Sequence, residues 1–203
     1  MRLKSRTIAA IVLPLMLAAC APAAVRMKGD ASLLKAQQAR EQALAQADHW
    51  TLQGRLSVSD GKSGGSGGFS WTQNGDHYEF ELRGPAISGM NFRLTGGPDG
   101  ALLEGLEGGP VHGPDAELLM HKAMGWEVPL RDLRAWVLGL RADSGPAQLS
   151  FGADRLPSLL LQDGWAVDYR EWDDARRPPM PKKVFAEKSP YKVRLSIDSW
   201  QFQ

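Results

Sequence analysis

From Trp50 onward the chain alternates. Trp50, Leu52, Gly54, Leu56 and Val58 take turns with Thr51, Gln53, Arg55, Ser57 and Ser59, and a period of two places each set on its own face of an extended strand. The pattern returns at Phe69 and Trp71, then at Tyr78, Phe80 and Leu82 against Glu79, Glu81 and Arg83, then at Met90, Phe92 and Leu94. After the middle of the chain it resumes at Leu159 to Leu161, at Trp165, Val167 and Tyr169, at Lys183 to Glu187, and at Tyr191, Val193, Leu195 and Ile197. Strands that are apolar on one side and polar on the other belong to antiparallel sheets with one covered face. Gln162-Asp163-Gly164 is a hairpin signal, and Gly61 to Gly68 reads as a flexible hairpin loop. Trp200 falls out of phase with the last run, which predicts a bulge before it.

The middle of the chain has a different period. Pro114 suits a first helical position, Asp115 and Glu117 suit the positive first turn, and Ala116, Leu119, Met120 and Ala123 share a face before Gly125. Pro129 opens a second helix, with Leu130, Leu133, Trp136 and Val137 grouped ahead of Gly139. A further helix is expected between Asp30 and Asp48, with a thin apolar stripe of Leu33, Ala36, Ala43 and Ala47. The expected fold class is mainly β (α+β), a single curved antiparallel sheet whose apolar inner face two mid-chain helices are available to cover.

Ahead of this lies an N-terminal secretory signal. Arg2, Lys4 and Arg6 precede an apolar run from Ile8 to Leu17, too short to span a bilayer, and the run closes at Leu17-Ala18-Ala19-Cys20. That ending resembles a lipobox, which makes residues 1–19 the signal peptide and Cys20 the acylated first residue. Residues 20–29 then read as a lipidated tether and residues 30–203 as one domain. Cys20 is the only cysteine, so no disulfide framework exists, and acylation would consume a thiol exposed to an oxidising compartment. The whole chain carries a net charge of +1, and loss of the three basic signal residues turns it slightly negative. Nothing basic remains to suggest nucleic acid. No later segment approaches ~20 consecutive apolar residues, so the lipid is the expected anchor.

The residues that could suggest catalysis or metal binding lack the spacing that such chemistry needs. Gly61-Lys62-Ser63 lacks the upstream glycine and the following helix of a phosphate loop. His49, His77, His112 and His121 are scattered without metal spacing. Glu117 and His121 share a helix face as an exposed polar pair. Ser88 has no nucleophile-elbow context, and Glu171, Asp173 and Asp174 beside Arg176 and Arg177 read as a solvated charge cluster. The chain is therefore not expected to be an enzyme, and it calls for no cofactor and no metal. The sheet-facing tryptophans fit either a filled core or the walls of an apolar cavity, which periodicity alone does not separate.

Several landmarks together resemble the LolB family of outer-membrane lipoprotein receptors. They are Trp50-x-x-x-Gly54-Arg55-Leu56, Gly68-Phe69-Ser70-Trp71, Gly125-Trp126-x-Val128-Pro129-Leu130, Leu133-x-x-Trp136-x-x-Gly139-Leu140, Trp165-x-Val167-x-Tyr169, Pro178-x-Met180-Pro181 and Ile197-x-x-Trp200. The likeness covers about residues 48 to 202, and Gly125 to Leu140 is its most specific part. The resemblance implies an incomplete antiparallel β-barrel with its helices as a lid over an apolar cavity for acyl chains. Candidate cavity residues are Trp50, Leu52, Leu56, Phe69, Trp71, Phe80, Leu82, Phe92, Leu119, Trp136, Trp165, Val167 and Tyr169.

It also implies the partners: a LolA-type periplasmic carrier, triacylated lipoprotein cargo, and the outer membrane, in whose inner leaflet the cargo is placed. The receptor is expected to be a monomer, lipid-anchored at the periplasmic face of that membrane. Ala21, where an Asp would favour inner-membrane retention, fits this destination. Family members carry an apolar residue at the tip of the loop between strands three and four. Here that loop is Gly84-Pro85-Ala86-Ile87-Ser88-Gly89-Met90, with an inserted Ala and an Ile for the usual Leu, so the tip is Ile87 or its neighbour Ala86, with Met90 beside them. The alternative reading is a structural or partner-binding envelope lipoprotein that transfers no acyl chains.

Overall fold

The structure is a computed structural model that describes residues 25–203 apart from 86–90. Cys20 and the loop residues Ala86, Ile87 and Met90 therefore lie outside the described residues. In chain order, β1 (Met27–Lys28) and α1 (Ala31–Leu44) precede a meander of β2 (His49–Ser59), β3 (Gly64–Asn74), β4 (His77–Arg83), β5 (Asn91–Gly97), β6 (Gly100–Glu104) and β7 (Val111–Gly113). Then come α2 (Ala116–Met124), α3 (Leu130–Trp136) and a second meander of β8 (Ala147–Phe151), β9 (Pro157–Gln162), β10 (Trp165–Asp173), β11 (Met180–Lys188) and β12 (Tyr191–Phe202).

All the described strands join one antiparallel sheet in the order β1-β8-β9-β10-β11-β12-β2-β3-β4-β5-β6-β7. The last strand returns to pair with β2, from Lys192 opposite Ser59 to Phe202 opposite Trp50, and so joins the two meanders at the centre. The edges, β7 on one side and β8 with β1 on the other, do not pair with each other. The chain leaves the sheet at β7 and re-enters it at β8, so residues 114–146, which carry α2 and α3, bridge the two free edges. This is the curved sheet with helices over one face that the pattern predicts, and the incomplete barrel that the resemblance implies.

The predicted bulge sits between Ile197 and Ser199, where the β12–β2 register shifts by one residue. Gly54 lies opposite Ile197, and a Cβ there would come within 2.1 Å of the Ser196 carbonyl oxygen. Only glycine lets the two backbones meet at the bulge. The hairpin at Asp163-Gly164 holds both residues at positive φ, 47° and 75°, as a type I′ turn requires.

Three local expectations change. Gly64 to Gly68 are strand and not loop, pairing with Ser59 to Arg55. A Cβ at Gly67 would meet the Arg83 carbonyl oxygen at 2.3 Å, so these glycines serve close strand approach. The buried stripe of α1 is Leu33, Gln37, Arg40 and Leu44, while Ala36 and Ala43 face water. Its polar members grip backbone carbonyls: Gln37 Nε2 donates to Gly139 O at 3.1 Å, and Arg40 Nη2 donates to Leu138 O at 2.6 Å. Finally, Asp115 rather than Pro114 begins α2, as an N-cap whose carboxylate accepts from the Leu118 amide at 2.7 Å.

Candidate functional site

The inner face of the sheet is one continuous apolar surface. A chain of ring contacts crosses it: Trp200 to Trp50 at 5.4 Å, Trp50 to Trp71 at 5.3 Å, Trp71 to Phe80 at 6.0 Å, Phe80 to Phe92 at 6.2 Å, and Phe92 to Trp126 at 6.3 Å. The chain runs through β12, β2, β3, β4 and β5 and ends in the connection between α2 and α3. On the other half, Trp165 of β10 meets Trp136 of α3 at 6.1 Å.

The thirteen candidates fall together. Trp50, Leu52, Leu56, Phe69, Trp71, Phe80, Leu82, Phe92, Trp165, Val167 and Tyr169 come from the sheet, Leu119 from α2 and Trp136 from α3, and all are buried in a single cluster. Sequence reasoning passed over Trp126, which is 2% exposed. It lies between helices, where no periodicity marks it, although the Gly125 to Leu140 motif contains it. In this conformation the inner face packs directly against α2 and α3. Among the described residues Trp50 Nε1 has no hydrogen-bond partner, which places an unpaired donor in an otherwise apolar wall.

A recess of about 350 Å³ reaches this interior at the edge of the helical cover. Trp71, Tyr78, Pro98, Ala116 and Leu130 line it, and Asp76, Asp115, Glu117, Arg131 and Arg134 stand at its rim. Burial pushes the Tyr78 phenol up to about 12, with Glu117 and Asp115 adding to the effect. One ion pair ties the cover to the sheet at the recess, Arg134 to Asp76 at 3.7 Å, and a second, Lys188 to Glu127 at 3.6 Å, lies away from it beside Trp165. Pairs of this kind contribute about 0–1 kcal/mol each.

The opposite end of the cover is held more firmly. Gln162 of β9 is 2% exposed. It accepts from Trp136 Nε1 at 3.1 Å and from the Ala142 amide at 2.9 Å, and it donates to Ala142 O at 2.6 Å and Gly145 O at 2.9 Å. The Tyr169 hydroxyl donates to Trp136 O at 3.1 Å, and burial raises its pKa. Arg40 closes the same end from α1, over the Trp172 ring at 4.8 Å, and desolvation lowers its guanidinium to about 10. Directional polar contacts are therefore few at the recess and gathered near Gln162, so the cover is a flap whose recess side is held by apolar packing.

The family profile described as outer membrane lipoprotein LolB matches residues 48–200. The outer-membrane lipoprotein LolB of Xanthomonas axonopodis pv. citri is 38% identical over 174 residues, covering 83% of this chain and 80% of that protein. The protein of the same description from Xylella fastidiosa is 33% identical over 181 residues, covering 88% of this chain and 83% of its own length. In shape, a LolA superfamily protein from Nitrosomonas europaea aligns with a TM-score of 0.52 at 11% identity, over 82% of this chain and 93% of that one, a likeness of fold. On the sequence evidence the chain belongs to the outer membrane lipoprotein LolB family.

Proposed function

We propose that this protein is an outer-membrane lipoprotein receptor. It accepts triacylated lipoproteins from a LolA-type periplasmic carrier, shelters their acyl chains against the sheet's inner face, and places them in the inner leaflet of the outer membrane. The observation that carries this reading is the single apolar face shared by both meanders and covered by two short helices. Membership of the LolB family supports the role, and the role is transport, with no bond made or broken.

Energetics explain why such a face is needed. Each acyl methylene kept from water contributes about 0.8 kcal/mol, so a chain of roughly fifteen costs on the order of 12 kcal/mol to expose. Cargo must therefore pass between apolar surfaces. Because the interior is packed, acyl chains enter by displacing α2 and α3 from the recess side, where directional polar ties are few. The unpaired Trp50 indole N–H then gains an acceptor in an acyl ester carbonyl. Among the described residues no helix is long and apolar enough to cross a membrane. The anchor in this proposal is Cys20 after removal of residues 1–19, joined through residues 20–29 to a domain of residues 30–203. The loop tip at Ile87 or its neighbour Ala86, with Met90 three residues beyond Ile87, is the part that enters the bilayer on delivery.

A packed interior also suits a structural envelope lipoprotein, so the test is transfer itself. The full chain in neutral detergent is mixed with carrier-bound acylated lipoprotein. The cargo is expected to move to this chain. Cargo that stays on the carrier would overturn the proposal.

A further inference from the structure

The outer face carries a second concavity, lined by no helix residue and by none of the recess residues. Its geometry follows from register. One row across the strands reads Ser196, Arg55, Gly68, Arg83, and the neighbouring row reads Phe185, Arg194, Ser57, Ser66. The small residues make a floor and the long ones make walls, giving a groove of about 650 Å³ that ends at Gly84 and Pro85. Arg55 and Arg83 stand two strands apart, roughly 10 Å at the backbone, a span their side chains can close over one anion. The Arg194 guanidinium lies 5.4 Å from the Phe185 ring centre, within cation–π range.

The charge balance is one-sided. Three arginines line the groove and no carboxylate does. Among the described residues Arg55 has no ion-pair partner. Arg83 pairs with Glu81 at 2.7 Å and Arg194 with Glu187 at 3.4 Å, both outside the groove. Both arginines are exposed in these pairs, which leaves their guanidinium groups accessible to a doubly hydrogen-bonded oxyanion. Arginine forks and the hydroxyls of Ser57, Ser66 and Ser196 match the donors a phosphate group needs.

We propose that this groove binds the phosphate of a phospholipid head group. The phosphate chemistry comes from the groove alone, and the choice of a lipid as its source rests on the membrane-delivery reading. The position favours that source, because Arg83 to Pro85 lead directly into the loop proposed to enter the bilayer. A head group held there would set the sheet's orientation at the membrane surface.

The test uses the full chain in neutral maltoside micelles, titrated by calorimetry with dihexanoyl phosphatidylglycerol, dihexanoylglycerol and inorganic phosphate. The double variant Arg55→Gln with Arg194→Gln is compared with Lys35→Gln, which removes an exposed charge on α1. Phosphatidylglycerol affinity is expected to fall by on the order of tenfold in the double variant and to change less than about twofold in the control. Dihexanoylglycerol, with the same acyl chains and no phosphate, should bind all three alike. Unchanged phosphatidylglycerol affinity in the double variant, or an equal loss in Lys35→Gln, would overturn the proposal. Loss of inorganic phosphate binding alone would identify the occupant as free phosphate and refute the lipid assignment. Failure of dihexanoylglycerol to bind the parent protein would tell against the acyl-binding interior and leave the groove standing.

Discussion

Replacing Gln162 by Met tests the latch that fixes one side of the helical cover. Met conserves chain length and volume, so the change removes hydrogen bonds without opening a cavity. The Trp136 indole N–H is fully buried and loses its acceptor, at a cost of about 2 kcal/mol. The Ala142 amide, Ala142 carbonyl and Gly145 carbonyl also lose their partner. They lie nearer the surface and regain water, so together they add roughly 1 kcal/mol. The expected total is about 3 kcal/mol, a large share of the 5–15 kcal/mol typical of a domain. Urea unfolding followed by tryptophan fluorescence should show the midpoint falling with an unchanged m-value. Exchange of the Trp136 indole proton should accelerate, because the cover now opens from both sides. A stability loss below about 1 kcal/mol would show that Gln162 does not hold α3, and the one-sided flap would be wrong.

Other perturbations reach different parts of the fold. Gly139→Ala places a Cβ within 2.5 Å of Trp172 at a φ of 73°, and should cost about 1–3 kcal/mol, read as a lowered Tm. The Tyr78 phenol, raised by burial from 10 to about 12, stays neutral in the folded state after it ionises in the unfolded chain. Its contribution is complete below pH 10 and is lost as pH rises towards 12. Tyr78→Phe should therefore lose less stability across that window than the parent in paired denaturant titrations, and identical pH profiles would contradict the assignment. Ile87→Glu should leave folding and cargo uptake intact while slowing delivery into liposomes several-fold. Delivery at the parent rate would remove the loop from the mechanism.

Alternation proved a reliable guide where strands are long and half-buried, and the phase break at Trp200 located the bulge. It failed where strands are short. β7 is three residues whose Val111 and His112 are exposed, and β6 and β8 are five residues each, too few for a period to emerge. Gly64 to Gly68 looked like a loop because composition reports flexibility, while the need for close strand approach comes from distant backbone. The α1 face was misread for a related reason. Gln37 and Arg40 are buried by carbonyls at the far end of α3, and no local pattern announces such partners. Among the site residues, inward-facing positions were legible because period two dictates them. Trp126 and Gln162 were not, since one lies in a connection and the other resembled the start of a turn. Filled core and displaceable lining share one periodicity, so the chain's pattern does not decide between them.

Displacement of the cover by acyl chains is the claim on which the account turns, and fluorescence reports it directly. Trp50, Trp71, Trp126, Trp136, Trp165 and Trp200 are each 5% exposed or less, so they report the interior. A tryptophan-free lipoprotein with brominated acyl chains, delivered by the carrier, should quench most of the intrinsic emission of this chain, while the unbrominated cargo should not. Stable binding of the cargo with no bromine-dependent quenching would place the acyl chains elsewhere and contradict the account.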